Sequence, residues 1–399
     1  AILRADYTAD NVSLTSITTY QISDSVYGED ADGSTAQQFQ AIFGIESEQF
    51  SQELRANAAK GRFEWTAGAY YFWDKKDDLY WGAPQFGLPV INVSEIGTDS
   101  WALFGDVTMD VTANFEIFAG LRYTDEEKEH TGNVLGSRFS FDQSVSEVTG
   151  RVGGSWRLSE EVLLYASYAT GFKSGAFNTV IFSSAEGAPA PPEKITSYQA
   201  GLKSEFFDNR LRFNGEVFYY DYRGLQQAIT VPGTFFPQLT SVGDADVLGA
   251  ELEIQARVFD RVDLMLGAGF LSSEIDDATL PAYEGNELAN APNVNINGIV
   301  SYTHPLQNKG DIRAQVDFRW QEEAFFGPDN FNLEKQEAYG VVNLRATWSS
   351  PSEKYSLEAF VDNVLDEEYS VTRFELTDAL ISIWGPPRWW GLRARMNLF

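Results

Sequence analysis

His130 and His304 are the only histidines among the 399 residues, and the chain has no cysteine. A serine–histidine–acid triad or a multi-histidine metal centre would have to be built around one of these two. Neither has a second histidine or a nucleophile motif beside it, so both read as solvated polar residues. The lack of cysteine excludes disulfide scaffolds, thiolate zinc sites, iron–sulfur clusters and cysteine nucleophiles. Carboxylates are plentiful, with 58 acidic against 29 basic residues and a net charge of −29, but no pair of them stands in a recognisable catalytic motif. A nucleic-acid binder is excluded too, because neutralising phosphate needs a basic surface. Residues 28–34, GEDADGS, begin like a calcium loop through Asp30, Asp32 and Gly33. The twelfth position counted from Asp30 is Ala41, where such a loop needs a bidentate glutamate. No resident cofactor or metal is therefore expected, and calcium on the acidic loops is the weakest of the readings.

The elements that position these groups show in the period of the pattern. In residues 311–321, Ile312, Ala314, Val316, Phe318 and Trp320 alternate with Arg313, Gln315, Asp317, Arg319 and Gln321. Residues 115–124, 211–220 and 262–270 alternate in the same way. Successive side chains of a strand point to opposite sheet faces, so this is the signature of a half-buried strand. Short turns near 8–11, 59–62, 112–114, 158–161, 207–210, 258–261, 305–310 and 350–354 take turns with long connections near 28–45, 79–97, 129–143, 172–192, 228–240, 275–291, 325–336 and 372–385. The segments between them number about 17 by this period-two reading. No stretch reaches the ~18 apolar residues of a membrane helix. Strands of ~10 residues with short turns at one end and long loops at the other describe an all-β, transmembrane antiparallel β-barrel. Backbone groups cannot stay unpaired in lipid, so a spanning sheet has to close on itself. An odd strand count cannot close an all-antiparallel barrel, so further strands are expected on the amino-terminal side.

Residues 165–178, YASYATGFKSGAFN, and 192–225, PEKITSYQAGLKSEFFDNRLRFNGEVFYYDYRGL, closely resemble the barrel of TonB-dependent outer-membrane receptors. SQELRANAAKGRFEWTAGAYYF at 51–72, ALFGDVTMDVTANFEIFAGLRYTDEEKE at 102–129 and VDNVLDEEYS at 361–370 fit the same family. The resemblance implies a 22-stranded barrel plugged by an amino-terminal domain, a plugged lumen being usual at that size. Residues 1–399 would then be the carboxyl-terminal portion of the barrel, with the plug and about five strands missing. Alone, such a sheet would leave open edges near residues 1–7 and 388–399, and open edges template aggregation. The terminal RWWGLRARMNLF partly matches the family's signal for the barrel-assembly machinery, although Phe399 is one step out of phase with Trp390, Leu392, Ala394, Met396 and Leu398.

The resemblance further implies a Gram-negative outer-membrane receptor, not an enzyme. It would bind a scarce extracellular ligand, most often an iron–siderophore complex, and import it with energy from the TonB–ExbB–ExbD complex acting through the plug. Lipopolysaccharide and outer-membrane lipid would surround it. A passive porin, and TonB-dependent uptake of cobalamin or a carbohydrate, are the alternatives. Two sets of residues could carry the function. Glu116, Arg122, Arg151, Arg212, Glu216, Glu251, Glu253, Arg313, Asp317, Arg319, Arg345, Glu358 and Asp362 lie in the polar register and would face the lumen and plug. The loop aromatics Tyr80, Trp81, Phe86, Phe177, Phe182, Phe235, Phe236, Tyr283, Phe325, Phe326 and Trp384 could wall a ligand site. The long connections carry many acids, among them Asp277, Glu284, Glu287 and Asp329, against the bases Arg138, Lys173, Lys335 and Arg373. That balance disfavours a strongly anionic ligand such as a ferric tris-catecholate and leaves room for neutral or cationic ones.

Overall fold

The computed structural model of the chain describes residues 1–30, 40–84, 87–229, 231, 234, 237–376 and 379–397. One antiparallel sheet of 17 strands accounts for most of them. It opens with β1 (Ile2–Ala9), β2 (Val12–Asp30), β3 (Gln40–Lys60), β4 (Phe63–Ala83), β5 (Leu88–Asp110), β6 (Phe115–Val134) and β7 (Ser137–Arg157). Shorter strands follow: β8 (Val162–Lys173), β9 (Glu193–Phe206) and β10 (Leu211–Arg223). A loop hairpin of β11 (Gln226–Ile229) and β12 (Gln238–Ser241) then stands apart from the sheet. The sheet resumes with β13 (Asp244–Val258), β14 (Val262–Asp276), β15 (Val294–Pro305) and β16 (Asp311–Gln321). Next comes a two-residue ladder of β17 (Ala324–Phe325) with β18 (Lys335–Gln336), then β19 (Tyr339–Ser349) and β20 (Tyr355–Asp362). A last loop hairpin, β21 (Ser370–Leu376) with β22 (Ala379–Trp384), leads to the final sheet strand β23 (Trp389–Met396). Each sheet strand pairs with the next along the chain, a plain up-and-down meander. The strand number agrees with the periodicity. Among the described residues no ladder joins β1 to β23, so both edges stay open.

The eight expected short turns are all present. Three of the expected long connections, however, are largely strand. Around 28–45, 79–97 and 129–143 the ladders simply continue, and β6 joins β7 through the two residues Leu135 and Gly136, at φ 48° and 89°. Positive φ at both central positions matches the twist of a two-residue hairpin. The Leu-Gly pair lacks the Asn-Gly signature by which such turns are recognised.

This extension divides the sheet into two walls. Strands β2–β7 run 19 to 23 residues, roughly twice the ~9–11 needed to cross a bilayer. Strands β8–β23 of the sheet run 8 to 15. Within the tall wall the alternation keeps its period and reverses its sense. On β6 the exposed outer register reads Phe115, Ile117, Ala119, Leu121, Tyr123 and then Glu127 and Glu129, with Asp125 between. The inner register changes from Glu116 and Arg122 to His130 and Val134, both fully buried. On β5 the outer register passes from Val107, Leu103 and Trp101 to Asp99 and Glu95. Apolar residues face lipid where the sheet crosses the membrane, and carboxylates face water above it.

A line of outer-face aromatics marks the boundary. Trp101 and Tyr123 lie 5.3 Å apart, Tyr168 and Tyr198 5.2 Å, and Tyr198 and Tyr219 6.2 Å. Three tyrosine hydroxyls donate to carboxylates one register step toward the loops: Tyr71 to Asp99 at 2.8 Å, Tyr123 to Asp125 at 3.3 Å and Tyr219 to Asp246 at 2.8 Å. An aromatic ring with a wet polar tip suits a membrane–water interface.

Candidate functional site

The polar register predicted to face the lumen does lie on the inner face of the sheet. On β16 and its neighbours, Arg345 forms ion pairs with Asp317 and, at 3.1 Å, with Asp362, and Asn343 donates to Asp317 at 2.6 Å. Glu358 accepts from Arg393 at 2.8 Å, Arg151 pairs with Asp106 at 2.9 Å and Arg212 with Glu205 at 2.5 Å. Arg313 donates to the Ser301 hydroxyl at 2.9 Å. Arg122 lies over the Tyr70 and Phe104 rings at 5.8 Å and donates to Thr124 at 3.0 Å. Arg319 lies over Tyr369 at 5.2 Å and donates to its hydroxyl at 2.9 Å, with Tyr339 stacked behind at 4.6 Å.

Glu216 stands directly opposite Glu251 across the β10–β13 ladder and accepts the Tyr165 hydroxyl. Glu253 accepts from Asn214 at 3.2 Å and from Gln255 at 2.5 Å. Glu116 shares the register without an ion-pair partner among the described residues. Ions paired within the wall, or resting on rings, leave donors and acceptors for a fit that can be made and broken. Asp106, Glu205, Tyr165, Lys203 and Arg393 belong to this wall and escaped the sequence reading, although extending the period by two residues finds each of them.

Two recurring inner-wall devices explain how rings come to lie flat there. Tyr165 faces Gly201 and Phe360 faces Gly391 across their ladders. A side chain at Gly201 would come within 2.5 Å of the Tyr165 ring, and one at Gly391 within 2.7 Å of Phe360. Lys203 and Arg393, each two residues beyond its glycine, cap those rings at 5.6 and 5.5 Å.

Above the membrane, the loop between β8 and β9 folds as a strap against the inner face of the tall wall. A bridge between Phe177 and Pro189 closes its base. Val180, Ile181 and Phe182 fill a hollow lined by Trp81, Ala83, Ile91, Val134 and Phe139, with Phe43 and Phe141 packed beside it. The wall grips the strap by its backbone carbonyls. The Trp81 indole donates to Ile181 at 3.2 Å, Asn92 to Thr179 at 3.1 Å, Lys128 to Gly175 at 2.9 Å and Gln143 to Ala190 at 3.0 Å. His130 lies 3.3 Å from the Gly187 carbonyl through Nδ1, and the rings of Phe139 and Phe177 flank it at 4.8 and 5.0 Å. It is therefore not the solvated residue its surroundings in sequence suggest. It has no exposed surface, and burial holds its pKa below the ordinary histidine value. His304, by contrast, is exposed at the turn end of β15.

The loop aromatics divide by place. Trp81 is 1% exposed and, with Phe177 and Phe182, is engaged in docking the strap. Tyr283 belongs to a second buried cluster with Leu225, Ile229, Val242, Ala245 and Ile275 on the opposite side. Tyr80 and Phe325 and Phe326 are half-buried. Trp384 is 58% exposed, under Arg373 at 5.5 Å. Phe86, Phe235 and Phe236 lie outside the described residues, as do Asp32, Gly33 and the terminal Leu398 and Phe399. Among the described residues, no three His, Asp or Glu side chains gather to hold a metal ion.

Residues 1–364 match the family model described as TonB dependent receptor-like, beta-barrel. The chain is 23% identical over 311 residues to the pesticin receptor of Yersinia pestis, covering 75% of this chain and 44% of that protein. Among solved structures, the ferric yersiniabactin uptake receptor FyuA from Yersinia pestis superimposes with a TM-score of 0.84 at 20% identity, over 99% of this chain and 60% of that one. The siderophore receptor PiuA from Acinetobacter baumannii gives 0.78 at 16%, over 98% and 63%. The chain thus spans less than half the length of the pesticin receptor and under two thirds of either structure.

Proposed function

The chain belongs to the TonB-dependent receptor β-barrel family, and from that premise we propose that it is the barrel of an active importer in the outer membrane. Its loop side captures a scarce extracellular ligand, most simply an iron–siderophore chelate, and the lumen passes it inward as a plug yields to energy from TonB, ExbB and ExbD. The plug and the remaining strands would come from sequence outside these 399 residues, in keeping with the 60% of the FyuA chain that is spanned. The family match carries this reading. The inner wall supports it, since ions already paired in place can border a removable plug without being stranded when it moves. No bond of the ligand is made or broken, and the barrel meets lipopolysaccharide outside and the assembly machinery during insertion. The acidic loops favour a neutral or cationic chelate over a multiply anionic one.

The test is growth of a deletion strain under iron limitation with single chelates of known charge, with and without TonB. Rescue by a neutral chelate that requires both the receptor and TonB is expected. Uptake that persists without TonB would make the barrel a passive channel, and rescue only by cobalamin or a sugar would move the ligand class.

A further inference from the structure

The strap formed by residues 174–192 is attached to the tall wall almost entirely by side-chain donors, and one of those attachments differs in kind from the rest. Lysine, glutamine, asparagine and tryptophan donors keep their bonding capacity across the physiological pH range. An imidazole does not. His130 reaches the Gly187 carbonyl through Nδ1, and its Nε2 is buried with no partner. The neutral ring fits that environment, because only one of its nitrogens then carries a proton. A second proton would place a charge at Nε2 among the rings of Phe139 and Phe177 with nothing to accept its hydrogen bond.

The neighbouring elements offer no compensation. Ile96 on β5 and Phe141 on β7 sit directly across the ladders from His130. On its own strand, Lys128 is committed to Glu126 at 3.0 Å and to the strap. On the strap, Glu186 accepts from the Phe182 amide at 3.1 Å and the Ser183 hydroxyl at 2.8 Å. Glu95, Glu129 and Asp142 stand in the outer register, on the far face of the sheet.

We propose that the strap is a proton-released lid: protonation of His130 undocks residues 174–192 from the tall wall and uncovers the ring-lined hollow beneath them. The direction follows from linkage. The docked state disfavours the second proton and the released state does not, so docking is strongest above the ordinary histidine value of about 6.5 and weakens as pH falls below it. The device is independent of which ligand is imported, and it acts on the face that the long loops share.

Because the chain has no cysteine, a single nitroxide can be placed on Ala185→Cys, an exposed strap position, in the full-length protein held in outer-membrane fragments. The spectrum is expected to be restricted at about pH 7.5 and to gain a mobile component at least about threefold larger by pH 5.5, with a midpoint between about 5 and 6.5. His130→Gln keeps a donor for Gly187 but cannot be charged, so its spectrum should stay restricted throughout. A second label at Ser352→Cys, on the turn between β19 and β20, should not respond. The proposal is overturned by a flat wild-type response, by mobilisation in His130→Gln equal to wild type, by a midpoint in the carboxylate range near pH 4, or by equal mobilisation of the Ser352→Cys label. Should His130→Gln fail to fold, hydrogen exchange of strap amides in the unlabelled wild type, corrected for intrinsic rates, must show the same midpoint or the proposal falls.

Discussion

The tall wall of β2–β7 and the low wall of β8–β23 begin alike at the periplasmic turns and part company where they leave the membrane. In the low wall the chain abandons the ladder and spends its length on loops and small hairpins, with Leu225, Ile229, Val242, Ile275 and Tyr283 buried inside them. In the tall wall the ladder continues, the outer register turns acidic and the inner register turns apolar. The same period-two chain solves two solvent problems in succession: lipid outside and water inside at first, then water outside and a packed strap inside. A strand pays no backbone cost for continuing, since its hydrogen bonds are already made by its neighbours. What decides whether it continues is whether something apolar covers its inner face.

The largest test of that contrast is the hollow itself. Trp81→Ala removes a fully buried ring and its bond to the strap, and should cost about 3–5 kcal/mol, read as lost exchange protection over residues 174–192. Trp384→Ala in the low wall, an exposed ring under Arg373, should cost less than about 1 kcal/mol. Equal losses would break the distinction.

Next comes the reversal along β6. Ala119→Arg puts a charge on the lipid face and should destabilise the barrel by about 2–4 kcal/mol, measured by urea titration in lipid vesicles. Glu127→Arg, four residues on and above the tyrosine line, should stay within about 0.5 kcal/mol of wild type. Tyr71→Phe removes the hydroxyl bond to Asp99 and should cost about 0.5–1 kcal/mol in the same titration.

The smallest effect separates the walls by pH. Burial, together with Glu274, Asp246, Glu284 and Asp277, raises the pKa of Asp276 in the low wall. A carboxyl whose folded pKa is raised carries its penalty above that value and sheds it as pH falls. Exchange protection around residues 275–286 should therefore rise on acidification while that of the strap falls. Parallel changes in both segments would merge the two walls into one response.

Strand number, turn positions and the inner register from Glu116 to Glu358 were legible because lipid and water impose opposite preferences on alternate residues. Periodicity says that two faces differ. It does not say what each face meets, so the reversal beyond Tyr123 and the continuation of β4–β7 through 79–97 and 129–143 were hidden. The same limit applies to aromatics: Trp81 and Trp384 look alike in a loop, and only tertiary packing separates an anchor from an exposed ring. His130 was misread as solvated for a related reason. Its burial is caused by Phe139 and by Phe177 and Gly187 of the strap, residues 9 to 57 positions away along the chain.

Five wall residues, Trp81, Asn92, Lys128, His130 and Gln143, recognise the strap by main-chain oxygens. Every amino acid supplies that oxygen. Apart from the Val180–Phe182 segment seated in the hollow, the strap can therefore change its side chains without changing how it is held, while each wall donor is bound to its residue type. Variation in such a receptor would be cheap on the strap and expensive on the wall, so a lineage could retune what its outer surface presents to a ligand, a phage or a toxin while inheriting the latch intact.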